Sequence, residues 1–92
     1  MRHARPDDLV AIEPLLEQLR SFDELVERTP GSFYLRSKGF LHFHVDGDDY
    51  YCDAKLYGPT FDRVRATTKA EQRTLLAAVR RTLASAEHDH GR

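Results

Sequence analysis

The stretch Phe40-Leu41-His42-Phe43-His44-Val45-Asp46-Gly47-Asp48-Asp49-Tyr50-Tyr51-Cys52-Asp53-Ala54 decides the fold. Leu41, Phe43 and Val45 alternate with His42 and His44. That is the period-two pattern of a strand with one face on a core. Asp46-Gly47-Asp48-Asp49 reads as a four-residue loop, and Tyr50, Cys52 and Ala54 resume the alternation behind it. A turn sets the register of the strands it joins. This one places Phe43 opposite Cys52, His44 opposite Tyr51 and His42 opposite Asp53.

The same argument extends in both directions. Residues 32–36 and 40–45 flank Ser37-Lys38-Gly39, a three-residue loop with Gly at the left-handed bulge position. Leu41 then faces Leu35, and Phe43 faces Phe33. On the other side, a Gly58-Pro59 turn leads into a fourth strand over about 61–66. With Tyr57 facing Phe61, Ala54 faces Val64 and Asp53 faces Arg65. One side of this sheet carries Phe33, Leu35, Leu41, Phe43, Val45, Tyr50, Cys52, Ala54, Leu56 and Val64, and is apolar. The other carries Tyr34, Arg36, Phe40, His42, His44, Tyr51, Asp53, Lys55, Arg63 and Arg65.

The flanks read as helices, being rich in Leu, Ala, Glu and Arg, whereas eight of the nine aromatics lie between Phe33 and Phe61. The first helix lies within 7–21, with Leu9, Ile12, Leu16 and Leu19 as its apolar stripe. Pro14 either kinks it or starts it after a short turn at 7–12. Thr68-Lys69-Ala70-Glu71 is a capping box for the second helix, and Leu75, Leu76, Val79 and Leu83 form its buried stripe. Each helix has one apolar stripe, so both cover the apolar side of the sheet. The expected fold is an α+β two-layer sandwich: a four-stranded antiparallel meander with N- and C-terminal helices on one face, in the order α-β-β-β-β-α. Residues 1–92 form a single domain, with ends at about 1–6 and 87–92 frayed.

Length and composition limit function. A chain of 92 residues, 40% of them hydrophobic, supports one core and excludes a TIM barrel or a full Rossmann domain. No apolar run approaches a membrane span, the start MRHARPDD has no apolar h-region, and one cysteine excludes a disulfide framework. Those features point to the cytoplasm. The net charge of −1 argues against nucleic acid and anionic membranes as partners. Arg outnumbers Lys eleven to three, as in the products of GC-rich bacterial genomes. Residues 1–31 carry four Arg against seven acidic side chains, and residues 68–92 carry five basic against three acidic. The two ends can attract each other within one fold or between chains.

Chemistry is concentrated on the open face. His42-x-His44 on a strand places two imidazoles on one side, with Asp53 across from His42. His42, His44 and Asp53 are therefore the candidate metal ligands, and zinc is the cofactor this set would take. The bland alternative is a pair of half-exposed rings packed on their neighbours. Arg36, Arg63 and Arg65, with Tyr34 and Tyr51, are candidates for binding a small anionic or planar ligand. The same face, or a free sheet edge, can bind a protein partner or a second copy of the chain as a homodimer. Cys52 falls on the core face and reads as a small hydrophobe rather than a nucleophile. The Asp46–Asp49 loop is acidic, but Tyr57 stands where a calcium loop of the EF-hand type needs Glu. His88 and His90 lie in the tail.

The stretch Val26-Glu27-Arg28-Thr29-Pro30-Gly31-Ser32-Phe33-Tyr34-Leu35-Arg36-Ser37-Lys38-Gly39-Phe40-Leu41-His42-Phe43-His44, followed by Asp53, resembles a group of short uncharacterised bacterial α/β proteins. Residues 27–40 are loosely similar to YjbR/MmcQ-like proteins. The Leu41-His42-Phe43-His44 strand with Asp53 is loosely similar to luciferase-domain proteins. The resemblance covers about half the chain, agrees with the fold above, implies no light emission, and transfers no catalytic residue. Two functions follow as expectations: a non-catalytic binding or interaction module using the open face, or a metal-binding protein or metal-dependent enzyme using His42, His44 and Asp53.

Overall fold

The structure, a computed structural model, describes the backbone of residues 1–90 and the side chains of residues 1–85. The chain opens with a two-residue strand, β1 (Arg2–His3), and a helical turn, α1 (Pro6–Leu9). A single 3₁₀ turn (Val10–Ile12) leads into α2 (Glu13–Arg20). Five strands follow: β2 (Leu25–Thr29), β3 (Ser32–Leu35), β4 (Lys38–Asp46), β5 (Asp49–Ala54) and β6 (Asp62–Arg65). The helix α3 (Lys69–His90) closes the described chain. Strands β2 to β6 pair antiparallel in chain order, and β1 pairs antiparallel with β4.

The α+β sandwich with helices over one face is as expected, but the sheet has six strands rather than four. β2 escaped the sequence reading because only its first residue, Leu25, is buried, while Val26 is 56% exposed. An edge strand with one anchoring side chain shows no alternation. β1, expected to fray with residues 1–6, lies along β4 with Arg2 opposite Val45 and His3 opposite His44. Two contacts hold it there. The Ala4 N–H donates to the Phe43 carbonyl at 3.0 Å, and Arg2 forms a two-pronged pair with Asp8 at 2.7 and 3.1 Å. At the other end α3 runs through His90. The expectation for residues 91–92, like the side chains of His88 and His90, falls outside the described residues.

The core lies between the helices and the expected apolar face of the sheet. Leu9, Ile12, Leu15, Leu16 and Leu19 meet Phe33, Leu41, Phe43, Cys52 and Ala54, with Leu75, Leu76, Val79 and Leu83 from α3. Pro14 is the second residue of α2, where its missing N–H costs no helix bond. Thr68 and Glu71 form the capping box: the Glu71 N–H donates to Thr68 Oγ1 at 3.1 Å, and the Thr68 N–H donates to Glu71 Oε1 at 2.9 Å.

The hairpin registers were read with mixed success. Between β4 and β5 all three expected pairs are present. Asp46 and Asp49 also pair, leaving Gly47-Asp48 as a two-residue turn with Gly47 at φ +62°. The β3–β4 register differs. The turn is Arg36-Ser37, so Phe33 faces Leu41 rather than Phe43, and Leu35 faces Lys38 rather than Leu41. The pairing slips between Phe33–Leu41 and Tyr34–Gly39, which makes Phe40 an extra residue in β4. The bulge turns Phe40 into the core, 3% exposed, although alternation had placed it on the open face. The β5–β6 register is displaced by two, because residues 55–61 form a longer loop than a Gly58-Pro59 turn needs. Asp53 therefore faces Arg63, not Arg65, and Cys52 faces Val64. A shift of two keeps every side chain on its face, so the layers survived the error.

Arg36 and Ser37 both have positive φ, +52° and +71°. L-residues lose roughly 1–2 kcal/mol each in that region, whereas glycine enters it freely. Ser37→Gly is therefore expected to stabilise the protein by about 1 kcal/mol, read as a higher urea midpoint at unchanged slope. A lower midpoint would show that the turn is held by the Ser37 side chain instead.

Candidate metal centre

Three imidazoles converge on the open face. His42 and His44 project from the same side of β4, two residues apart. Pairing of β1 with β4 brings in His3 opposite His44. The ring centres stand 4.4 Å apart for His3 and His44, 4.9 Å for His42 and His44, and 5.5 Å for His3 and His42. One ring nitrogen from each lies within 4.8 Å of those of the other two. Tetrahedral zinc with bonds of about 2.0–2.1 Å sets its donors about 3.4 Å apart, so small side-chain rotations would close the set.

Asp53 lies against this cluster and is also engaged by an arginine. It is 9% exposed. Arg63, its cross-strand partner, donates from Nε to Oδ1 at 2.7 Å and from Nη2 to Oδ2 at 2.8 Å. Asp53 Oδ2 also lies 3.1 Å from His44 Nε2 and 3.6 Å from His42 Nε2. The Arg63 guanidinium holds the Asp53 carboxyl below the usual carboxylate range, against the opposing effect of burial. Asp53 Oδ2 thus lies beside the Nε2 atoms of both histidines while Arg63 binds the same carboxylate.

His44 Nε2 is the unsettled atom. It is buried and has no hydrogen-bond partner among the described residues. The Asp53 oxygen is close but lies off the direction the ring N–H would need. A buried ring nitrogen without a partner is costly in a folded protein. Burial shifts both His42 and His44 below the ordinary imidazole pKa, with His44 also repelling a charge on His42 and Asp53 opposing the shift at each. Both shifts favour the neutral ring, the form that binds metal.

The other expected site residues are not gathered here. Arg65 faces Tyr51 but is committed to Asp49 at 2.7 Å and Glu71 at 2.8 Å. Tyr34 lies under the Arg28 guanidinium at 4.5 Å. Arg36 lies at the β3–β4 turn and lines a separate cavity. Cys52 is buried, and burial pushes its thiol far above the ordinary range, so it is a core residue. The sequence reading missed His3. A two-residue strand has no periodicity to detect, and the one available sign was a third histidine in a short chain that already held His42-x-His44.

No protein-family model, curated protein or solved structure matches this chain.

Proposed function

We propose that this protein binds a divalent transition-metal ion, zinc foremost, through His3, His42 and His44. The observation that carries this is the convergence of three imidazole nitrogens from two strands on one side of the sheet. The orphaned, buried His44 Nε2 supports it, since a bound ion would give that nitrogen a partner. Three protein donors leave a coordination position for water or a ligand, as in catalytic rather than structural zinc sites. Asp53 Oδ2, 3.1 and 3.6 Å from the Nε2 atoms of His44 and His42, is a further oxygen donor within reach, with Arg63 bound to the same carboxylate.

Ligand that binds only the folded state stabilises it, by about 2.7 kcal/mol at a free concentration 100 times Kd. For a domain this small that is a rise of roughly 10–20 °C in Tm. Zinc should raise the wild-type midpoint by that order and leave His44→Ala unmoved. The rise should shrink as the buffer is made acidic, because protons compete with the metal for the ligand imidazoles. An unchanged midpoint with zinc, cobalt, nickel and copper would sink the proposal.

A second reading, a non-catalytic interaction module, is supported by the large apolar side chains left exposed: Tyr57 at 78%, Val26 on the edge strand at 56% and Phe61 at 44%. A dimeric mass in solution that is indifferent to zinc would favour it.

A further inference from the structure

The cluster has a neighbour that gives its ligand a shape. Phe61 packs edge-on against His42 with ring centres 5.0 Å apart. It leaves 44% of its surface exposed. The Lys55 ammonium lies 5.0 Å from the centre of the same ring. Gly39 lies close by: a Cβ there would be 3.9 Å from Phe61 Cζ. Lys55 and Gly39 also form the rim of a cavity of about 360 Å³, lined further by Arg36, Lys38, Phe40, Pro59 and Thr82. No carboxylate lines it among the described residues. Phe61 therefore touches His42 of the cluster and also lies beside Lys55 and Gly39, two residues that line the cavity.

Charge and polarity then specify a ligand class. Imidazole ligands add no charge of their own and Arg63 offsets that of Asp53, so a divalent ion keeps its positive charge at the open coordination position, which favours an anion there. The exposed Phe61 ring favours an apolar body of similar size. Lys38 and Lys55 favour a second anionic group beyond it. Resting on the metal reading above, we propose that the site takes a small organic dianion. One anionic group would sit on the metal, the apolar middle on Phe61, and the other anionic group between Lys38 and Lys55.

The test uses the cobalt-loaded protein, whose visible absorption changes when an anion enters the coordination sphere. The probes are terephthalate, benzoate and acetate. Terephthalate should bind about tenfold more tightly than benzoate, the factor that one additional charge-assisted contact provides. Benzoate should in turn bind more tightly than acetate. Exchanging both Lys38→Gln and Lys55→Gln should reduce terephthalate to the affinity of benzoate. Phe61→Ala should reduce benzoate to the affinity of acetate. Equal affinities for the three anions in the wild type would overturn the proposal. If cobalt itself does not bind, the metal reading fails separately, and the amide spectrum of the metal-free protein decides the cavity. Shifts at residues 38, 39 and 55 on adding terephthalate uphold the cationic end, and an unchanged spectrum overturns it.

Discussion

Phe43→Ala is expected to destabilise the protein by about 3–5 kcal/mol, the range for truncating a buried aromatic. Phe43 is 2% exposed, and it faces Cys52, which is fully buried. It sits at the centre of β4, with β5 on one side and the β1 segment on the other, and under both helices. Domains of this size have roughly 5–15 kcal/mol of total stability, so the variant would lose about a fifth of it or more. Urea unfolding measures this as a lower midpoint at nearly constant slope. The neighbouring His42→Ala is the control, because it removes a half-exposed ring from the opposite face and should cost no more than about 1 kcal/mol in metal-free buffer. Equal losses at positions 42 and 43 would mean that the core does not lie on the Phe43 side.

The second large effect is electrostatic. Arg63→Met leaves the Asp53 carboxylate buried with no committed cation. Breaking a buried ion pair by removing one partner costs roughly 3–5 kcal/mol. The Arg63 side chain is 49% exposed, so solvent screens part of the interaction and the expected loss at pH 7 falls below that range. The pH dependence has a definite sign. In the wild type the Asp53 pKa is depressed, so its contribution is present above the ordinary carboxylate value and is lost as pH falls through the folded value. In Arg63→Met, only His44 and His42 still oppose burial, and the pKa rises. The penalty is then greatest near neutrality and shrinks as acid protonates the carboxyl. Stability curves of variant and wild type should therefore converge between pH 7 and pH 4.5. The double variant Asp53→Asn with Arg63→Met should recover part of the loss at pH 7, since no buried charge remains. A penalty that is flat across this pH range would show that Arg63 acts through the packing of its stem instead.

These two residues also mark what was legible in the sequence. Phe43 could be placed because it lies in a strand whose alternation is complete and whose turn to β5 is short. A short turn leaves few registers, and the wrong odd register would have put Phe43 and Cys52 in solvent. The partner of Asp53 was misjudged because residues 55–61 make a loop long enough to accept several registers of equal parity. Alternation excludes odd shifts and is blind to even ones. It put Asp53 on the correct face and named the wrong arginine.

Phe40 shows a different limit. Its burial depends on one extra residue in β4, and an alternating pattern read locally cannot show where the count breaks. Arg36-Ser37 contributed to the error, since neither residue advertises the positive φ that both adopt.

The sequence by itself determined the two layers, the face that becomes the core, the capped start of α3 and the pairing of His42 with Asp53. Each of these follows from local periodicity or from a turn only a few residues long. Tertiary structure alone decided the composition of the candidate metal centre. His3 reaches it through a strand of two residues held by Ala4 and by the Arg2–Asp8 pair. Arg63, ten residues away on the neighbouring strand, holds Asp53 beside it. Those choices depend on which distant groups satisfy one another's hydrogen bonds and charges once the core has closed, and no local pattern in the chain encodes that.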